Sequence, residues 1–150
     1  MTSEHDRVAA HVAATRFPFP GQVDWPVDYR TIVNVPEPLA AIPGPNGSLY
    51  PDIVILDGTG RVREVGEVEP ELGQDCVARW LAGSASADDR TETGVRHFFV
   101  YVPEGLESAA RTLLDEGGVS YAGLRTYRVE ADGEVTIVPV MTPGGTKDHR

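Results

Sequence analysis

Residues 51–70 read Pro51-Asp52-Ile53-Val54-Ile55-Leu56-Asp57-Gly58-Thr59-Gly60-Arg61-Val62-Arg63-Glu64-Val65-Gly66-Glu67-Val68-Glu69-Pro70. Ile53, Val54, Ile55 and Leu56 form an unbroken apolar run, the pattern of a strand buried on both faces. Asp57-Gly58-Thr59-Gly60 supplies turn chemistry, and residues 61–69 return as a second strand. The stretch therefore predicts an antiparallel hairpin whose first strand is central in a sheet. Pro70 suits the first turn of a following helix.

Upstream, Val8, Ala9, Val12 and Ala13 recur as a narrow apolar stripe and predict a helix over 4–15, with Thr2 or Ser3 as its cap. Eight of the twelve prolines lie between Pro18 and Pro51, which excludes a regular helix there. Within that segment, residues 30–35 are rich in β-branched side chains and predict a short strand. Pro43-Gly44-Pro45-Asn46-Gly47 reads as a loop tip.

Downstream, Leu72, Cys76, Val77, Trp80 and Leu81 share one helical face and predict a helix over 71–81. The polar residues 83–94 read as a loop. Residues 96–102 predict another buried strand. Residues 104–116 predict a helix ended by Gly117-Gly118. A closing hairpin follows over 124–130 and 135–140, turning at Ala131-Asp132-Gly133. Residues 141–150 carry no pattern and are expected as a mobile tail. The expected fold is one domain over 1–140 of the α/β (mixed α+β) class, a central mixed sheet flanked by helices on both faces.

The chain has 150 residues, 41% of them hydrophobic, enough for a single core and too apolar for a disordered chain. No apolar run approaches the ~18 residues of a membrane-spanning helix, so no membrane partner is expected. The amino terminus is polar and lacks the apolar region of a secretory signal, so the expected compartment is the cytoplasm. One cysteine, Cys76, excludes an internal disulfide and a cysteine-based zinc cluster. There are 23 acidic against 13 basic residues, a net charge of −10. Twelve of the cations are arginine, and Lys147 is the one lysine. This balance argues against a tight, non-specific nucleic-acid binder while leaving room for a local cationic strip.

The hairpin carries the one constellation that suggests chemistry. Asp52 opens the first strand, and Glu67 and Glu69 end the second. Side chains alternate along a strand, so Glu67 and Glu69 share a face and Val68 points the other way. Desolvated carboxylates cost several kcal/mol each unless compensated. Mg²⁺ or Mn²⁺, which takes one or two carboxylates, a carbonyl and waters, would be a natural compensation, and the carbonyl of Val68 could complete such a set. Without a cation, at least one of these acids is expected to titrate high. The plainer alternative makes Asp52 a strand cap and the glutamates the solvent face of an edge hairpin.

Pro51-Asp52, fourteen residues, then Glu67-Val68-Glu69 resembles the PD-(D/E)xK motif of the restriction-endonuclease-like nuclease superfamily. The superfamily core is a helix, a three-strand meander carrying the motif, a helix and a further strand, an order the predicted elements follow from Glu4 to Val102. The resemblance implies metal-dependent phosphodiester hydrolysis of DNA or RNA, with Asp52 and Glu67 as ligands, and it admits a homodimer. One departure stands out: Glu69 occupies the place of the motif lysine. Some members carry glutamate there, and others move the cation to the next helix, where Arg79 is the candidate phosphate clamp. The site expected from the resemblance is thus Asp52, Glu67, Glu69 and Arg79. The alternative is a catalytically degenerate nuclease fold serving as an interaction or regulatory module. Glu4 reads as a helix-start acid or as a further site acid, His97 and Cys76 as core residues, and Arg61 and Arg63 as a solvated edge rather than as phosphate contacts.

Overall fold

The computed structural model describes residues 3–91, 93–143 and 148–150. Its centre is the predicted hairpin. Strand β4 (Ile53–Leu56) pairs antiparallel with β5 (Val62–Val68), and Ile53, Val54 and Ile55 are fully buried. Strand β1 (Arg30–Val33) flanks β4 antiparallel on its other side. Strands β6 (Phe98–Pro103) and β7 (Gly123–Val129) then add in parallel beyond β5, and β8 (Val135–Met141) closes the edge antiparallel to β7. The result is a six-stranded mixed sheet in the order β1-β4-β5-β6-β7-β8. A separate small hairpin, β2 (Ile42–Gly44) and β3 (Gly47–Leu49), forms around the expected loop tip, and β2 packs on the second helix. The pairing was not visible in so short and proline-rich a segment.

Three helices cover the sheet. Helix α1 (Glu4–Arg16) lays Val8, Ala9, Val12 and Ala13 on one face, against Ile53, Ile55, Val68, Phe99 and Tyr101. Ser3 caps it, its hydroxyl accepting from the Asp6 amide at 3.1 Å; such a cap typically contributes about 1 kcal/mol. Thr2, the other candidate cap, lies outside the described residues. Helices α2 (Gln74–Ser86) and α3 (Glu107–Glu116) cover the opposite face, where Trp80, Cys76 and Leu114 meet Val65, Phe98 and Val100. No helix among the described residues is long and apolar enough to cross a membrane.

The second helix departs from its predicted bounds at both ends. It begins at Gln74 rather than 71, with Pro70 outside it, because Gly73 at its cap is fully extended. It continues through Ser86, where a loop was expected. The residues there are small because the helix lies close to the sheet. Gly83 and Ser84 are buried, and the Ser84 hydroxyl donates to the Ser120 carbonyl at 2.6 Å. Small residues chosen for close approach look like loop residues in a sequence. Helix α3 likewise starts at Glu107, later than expected. Of the tail expected over 141–150, Met141 closes β8 and residues 144–147 lie outside the described residues. Residues 148–150 return to the sheet, where Arg150 is 4% exposed and paired with Glu64.

The close approach at Gly83 gives a sharp expectation. Alanine is normally favoured over glycine inside a helix by about 1 kcal/mol. At position 83 a methyl group would stand 2.7 Å from the Phe98 ring and 3.3 Å from Val65. Gly83→Ala should therefore destabilise the fold by about 1–3 kcal/mol, the usual range for an overfilled core. Denaturant melts read by circular dichroism measure this, and a stabilised variant would refute the packing described.

Candidate functional site

The register of β4 against β5 pairs Ile53 with Gly66, which places Asp52 opposite Glu67 at the end of the hairpin. Two hydrogen bonds lock the pair. The Asp52 amide donates to Glu67 Oε1 at 2.9 Å, and the Val68 amide donates to Asp52 Oδ2 at 2.8 Å. Asp52, Glu67 and Glu69 are all buried, at 8%, 6% and 6% exposure. The solvent-face alternative for the two glutamates therefore does not describe this hairpin. Asn34, itself buried, holds the approach to Asp52. Its side chain donates to the Pro51 and Ala40 carbonyls and accepts from the Leu39 and Ala40 amides, and its own amide donates to the Asp52 carbonyl.

Two cations reach the acids from the flanking helices. Arg79 on α2 donates from Nη2 to Glu69 Oε2 at 2.7 Å, and its Nη1 pairs with Asp75 at 3.1 Å. From α1, His5 Nε2 lies 3.1 Å from Asp52 Oδ1, while Nδ1 lies 2.9 Å from Asp6. The structure thus brings Asp52, Glu67, Glu69 and Arg79 together, and it adds His5, one residue beyond the weighed Glu4. Glu4 itself is exposed. The first turn of the predicted helix was the available signal; which of its residues faced the strand depended on a helix start known only to within a residue or two.

Electrostatics follow from this crowding. Burial, then the charges of Asp52 and Glu69, push the Glu67 carboxyl well above the usual carboxylate range. The hydrogen bond to Asp52 raises His5 to about 9, against the opposing effect of burial. Burial works against the Arg79 charge, but Glu69 and Asp75 outweigh it and its pKa is raised. Burial also pushes the Cys76 thiol up to about 11, as suits a packing cysteine. Tyr127, buried at the end of β7, is pushed up to about 12 by burial, with Glu4, Glu69 and Asp52 adding to the effect.

A second polar cluster sits at the other end of β5. Glu64, Asp89 and His97 present ligand atoms within 4.8 Å of one another, the one such group of three among the described residues. Asp52, Glu67 and Glu69 do not converge that closely. The second cluster is already neutralised, however. Arg150 pairs with Glu64, Arg63 pairs with Asp89, and the Tyr29 hydroxyl donates to Asp89. Of the two arginines read as a solvated edge, Arg61 is exposed, with an ion pair to Asp88, whereas Arg63 is largely covered and binds Asp88 and Asp89. Such a set of donors and acceptors is a structural ion-pair network that could take a metal only by losing its arginines.

Comparison of the chain with protein-family models, with curated proteins and with solved structures finds no match.

The raised Glu67 carboxyl predicts a pH dependence. The folded protein holds a proton that the unfolded chain releases, so stability falls as pH rises from the ordinary carboxylate range toward the elevated value. Glutamine keeps the oxygen that accepts from the Asp52 amide and does not titrate. In metal-free buffer with EDTA, Glu67→Gln should melt above the wild type at neutral pH, and the margin should shrink as pH falls toward the ordinary carboxylate range. A variant that tracks the wild type at every pH in a thermal melt would show that Glu67 is not electrostatically strained.

Proposed function

We propose that the chain is a divalent-metal-dependent nuclease domain that hydrolyses phosphodiesters of DNA or RNA at Asp52, Glu67, Glu69 and Arg79. The observation that carries this reading is the pairing of Asp52 with Glu67 at the buried end of two central strands, with Glu69 beside them and Arg79 on the next helix. The element order supports it as well. Helix α1, the meander β1-β4-β5, helix α2 and strand β6 follow the order of a restriction-endonuclease-like core.

The donor set fits Mg²⁺ or Mn²⁺, since these ions take one or two carboxylates, a carbonyl and waters. Glu67 supports the fit, because a carboxyl kept from ionising by burial and by two anions gains most from an arriving cation. The ion, when bound, supplies a Lewis acid and an activated water. The protein's own groups do the rest. Asp52, Glu67 and the Val68 carbonyl would hold the ion. Arg79, released from Glu69, would clamp a phosphate oxygen through its fork of donors. Glu69, freed in the same exchange, would accept a proton from the attacking water. His5 would keep Asp52 oriented. With a net charge of −10, contacts to nucleic acid would be few and confined to arginines near the site.

One observation favours a second reading, the degenerate interaction module. His5 and Arg79 already occupy Asp52 Oδ1 and Glu69 Oε2, so the chain's own cations stand where an ion and a phosphate would go.

Metal and cleavage assays separate the two. In the nuclease reading, millimolar Mn²⁺ raises the melting temperature of the wild type and leaves Asp52→Asn unmoved. The wild type cleaves plasmid, single-stranded DNA or RNA in Mn²⁺ and not in EDTA. Arg79→Ala lowers that cleavage roughly 100-fold, the loss typical of one removed electrostatic donor. In the module reading, Mn²⁺ shifts neither protein and no substrate is cut at high enzyme concentration, an outcome that would end the enzyme hypothesis.

A further inference from the structure

The far end of α1 borders a polar cavity of a different kind. Its volume is about 190 Å³, and Arg16, Arg125, Asp148 and His149 line it together with the apolar walls of Phe19 and Ile137. Arg125 is the unusual member. It sits on β7 opposite Tyr101 of β6 and is 2% exposed. Its guanidinium is housed by Gly123, where a Cβ would stand 2.9 Å from Nη1 and 3.0 Å from Cζ. Nη1 donates to the carbonyls of Leu124 and Met141, at 3.1 and 2.9 Å, and Nη2 to the carbonyl of Asp148 at 3.2 Å. A guanidinium has five N–H donors, so three bonds leave two without an acceptor among the described residues.

No carboxylate of the described residues lies within 4.0 Å of Arg125. The nearby Asp148 carboxylate is turned to Arg150, accepting from its Nε at 3.0 Å and from its Nη2 at 2.8 Å. Arg16 has no carboxylate partner among the described residues either; its Nη1 reaches only the Thr15 carbonyl, at 3.3 Å. In a chain with 23 acids, two arginines with no paired carboxylate among the described residues face one cavity, whose one lining acid, Asp148, is engaged by Arg150. A buried cation without a counter-ion costs several kcal/mol. Tyr101, the register partner of Arg125, has a fully buried hydroxyl with no hydrogen-bond partner among the described residues.

We propose that this cavity is a binding site for a phosphate group, with Arg125 and Arg16 as the charged donors. Two arginines match a dianion, and the guanidinium fork suits phosphate oxygens. The volume lies below the roughly 300 Å³ at which pockets for drug-sized ligands begin, so the phosphate enters alone or as the end of an ester. The site is distinct from the acid cluster. His5 and Arg16 lie eleven residues apart on α1, about 16 Å along its axis.

Isothermal titration in EDTA tests the site while any metal is withheld, so its outcome is independent of the nuclease reading. Inorganic phosphate should bind saturably, one per chain. Arg16→Ala should weaken binding about tenfold, the loss of one charge-assisted hydrogen bond, and leave the phosphate-free melting temperature unchanged. Arg125→Gln should abolish binding; if it fails to fold, Arg16→Ala carries the test. Ribose 5-phosphate, run in parallel, identifies the source: tighter binding than inorganic phosphate assigns the site to an ester, weaker binding to the free ion. Absence of saturable binding by either at millimolar concentration, or equal affinity in wild type and Arg16→Ala, would overturn the proposal.

Discussion

The pairing of β4 with β5 sets the position of nearly everything else. A slip of one residue would turn every side chain of one strand to the opposite face, so the register is specified by burial on both sides. Ile53 and Ile55 must meet α1, while Val65 must meet α2, and only the observed alignment satisfies both. Asp52 opposite Glu67 is a consequence of that apolar requirement. The bonds from the Asp52 amide to the Glu67 carboxylate and from the Val68 amide to the Asp52 carboxylate add polar confirmation of the same alignment. The candidate site is thus held by the most rigid part of the sheet, as a site that must hold geometry to a fraction of an ångström requires.

Charge is handled in this fold by locating most of the buried acids beside arginine or histidine. Glu69 has Arg79, Asp52 has His5 and Glu64 has Arg150, and the half-buried Asp89 has Arg63. Glu67 is the exception on the acidic side and Arg125 on the basic side. Each is buried, each meets backbone groups rather than an opposite charge, Arg125 with only three of its five donors, and its pKa moves toward the neutral form because of burial. Ion pairs inside proteins seldom raise net stability over apolar packing, so the exceptions are the informative residues.

The legible part of the fold was its strongly patterned part. The run Ile53–Leu56, the turn after it and the stripe Val8, Ala9, Val12, Ala13 carried enough apolar periodicity to place the central hairpin and α1. The carboxylates at the hairpin's end were legible because strand alternation leaves little freedom once the strands are known. The extension of α2 through Ser86 was not legible, since Gly83 and Ser84 owe their identity to contacts with Phe98 and Ser120 from distant parts of the chain. His5 was missed for a related reason: its approach to Asp52 depends on where α1 crosses the sheet. The pairing of Arg61 and Arg63 with Asp88 and Asp89 likewise joins segments whose proximity only the folded chain creates.

The burial of Arg150 changes what counts as the folding unit. Its guanidinium is the counter-charge of Glu64, which lies at 2% exposure and is raised to about 7 mainly by burial. Removing one partner of such a pair typically costs about 3–5 kcal/mol, a large share of the 5–15 kcal/mol that holds an ordinary domain together. A chain cut after residue 140, where the sequence pattern fades, would retain every strand but one residue of the sheet and all three helices, yet would leave Glu64 with no arginine partner. The folding unit therefore reaches at least ten residues past the point where the sequence pattern fades, to a side chain with no secondary structure of its own.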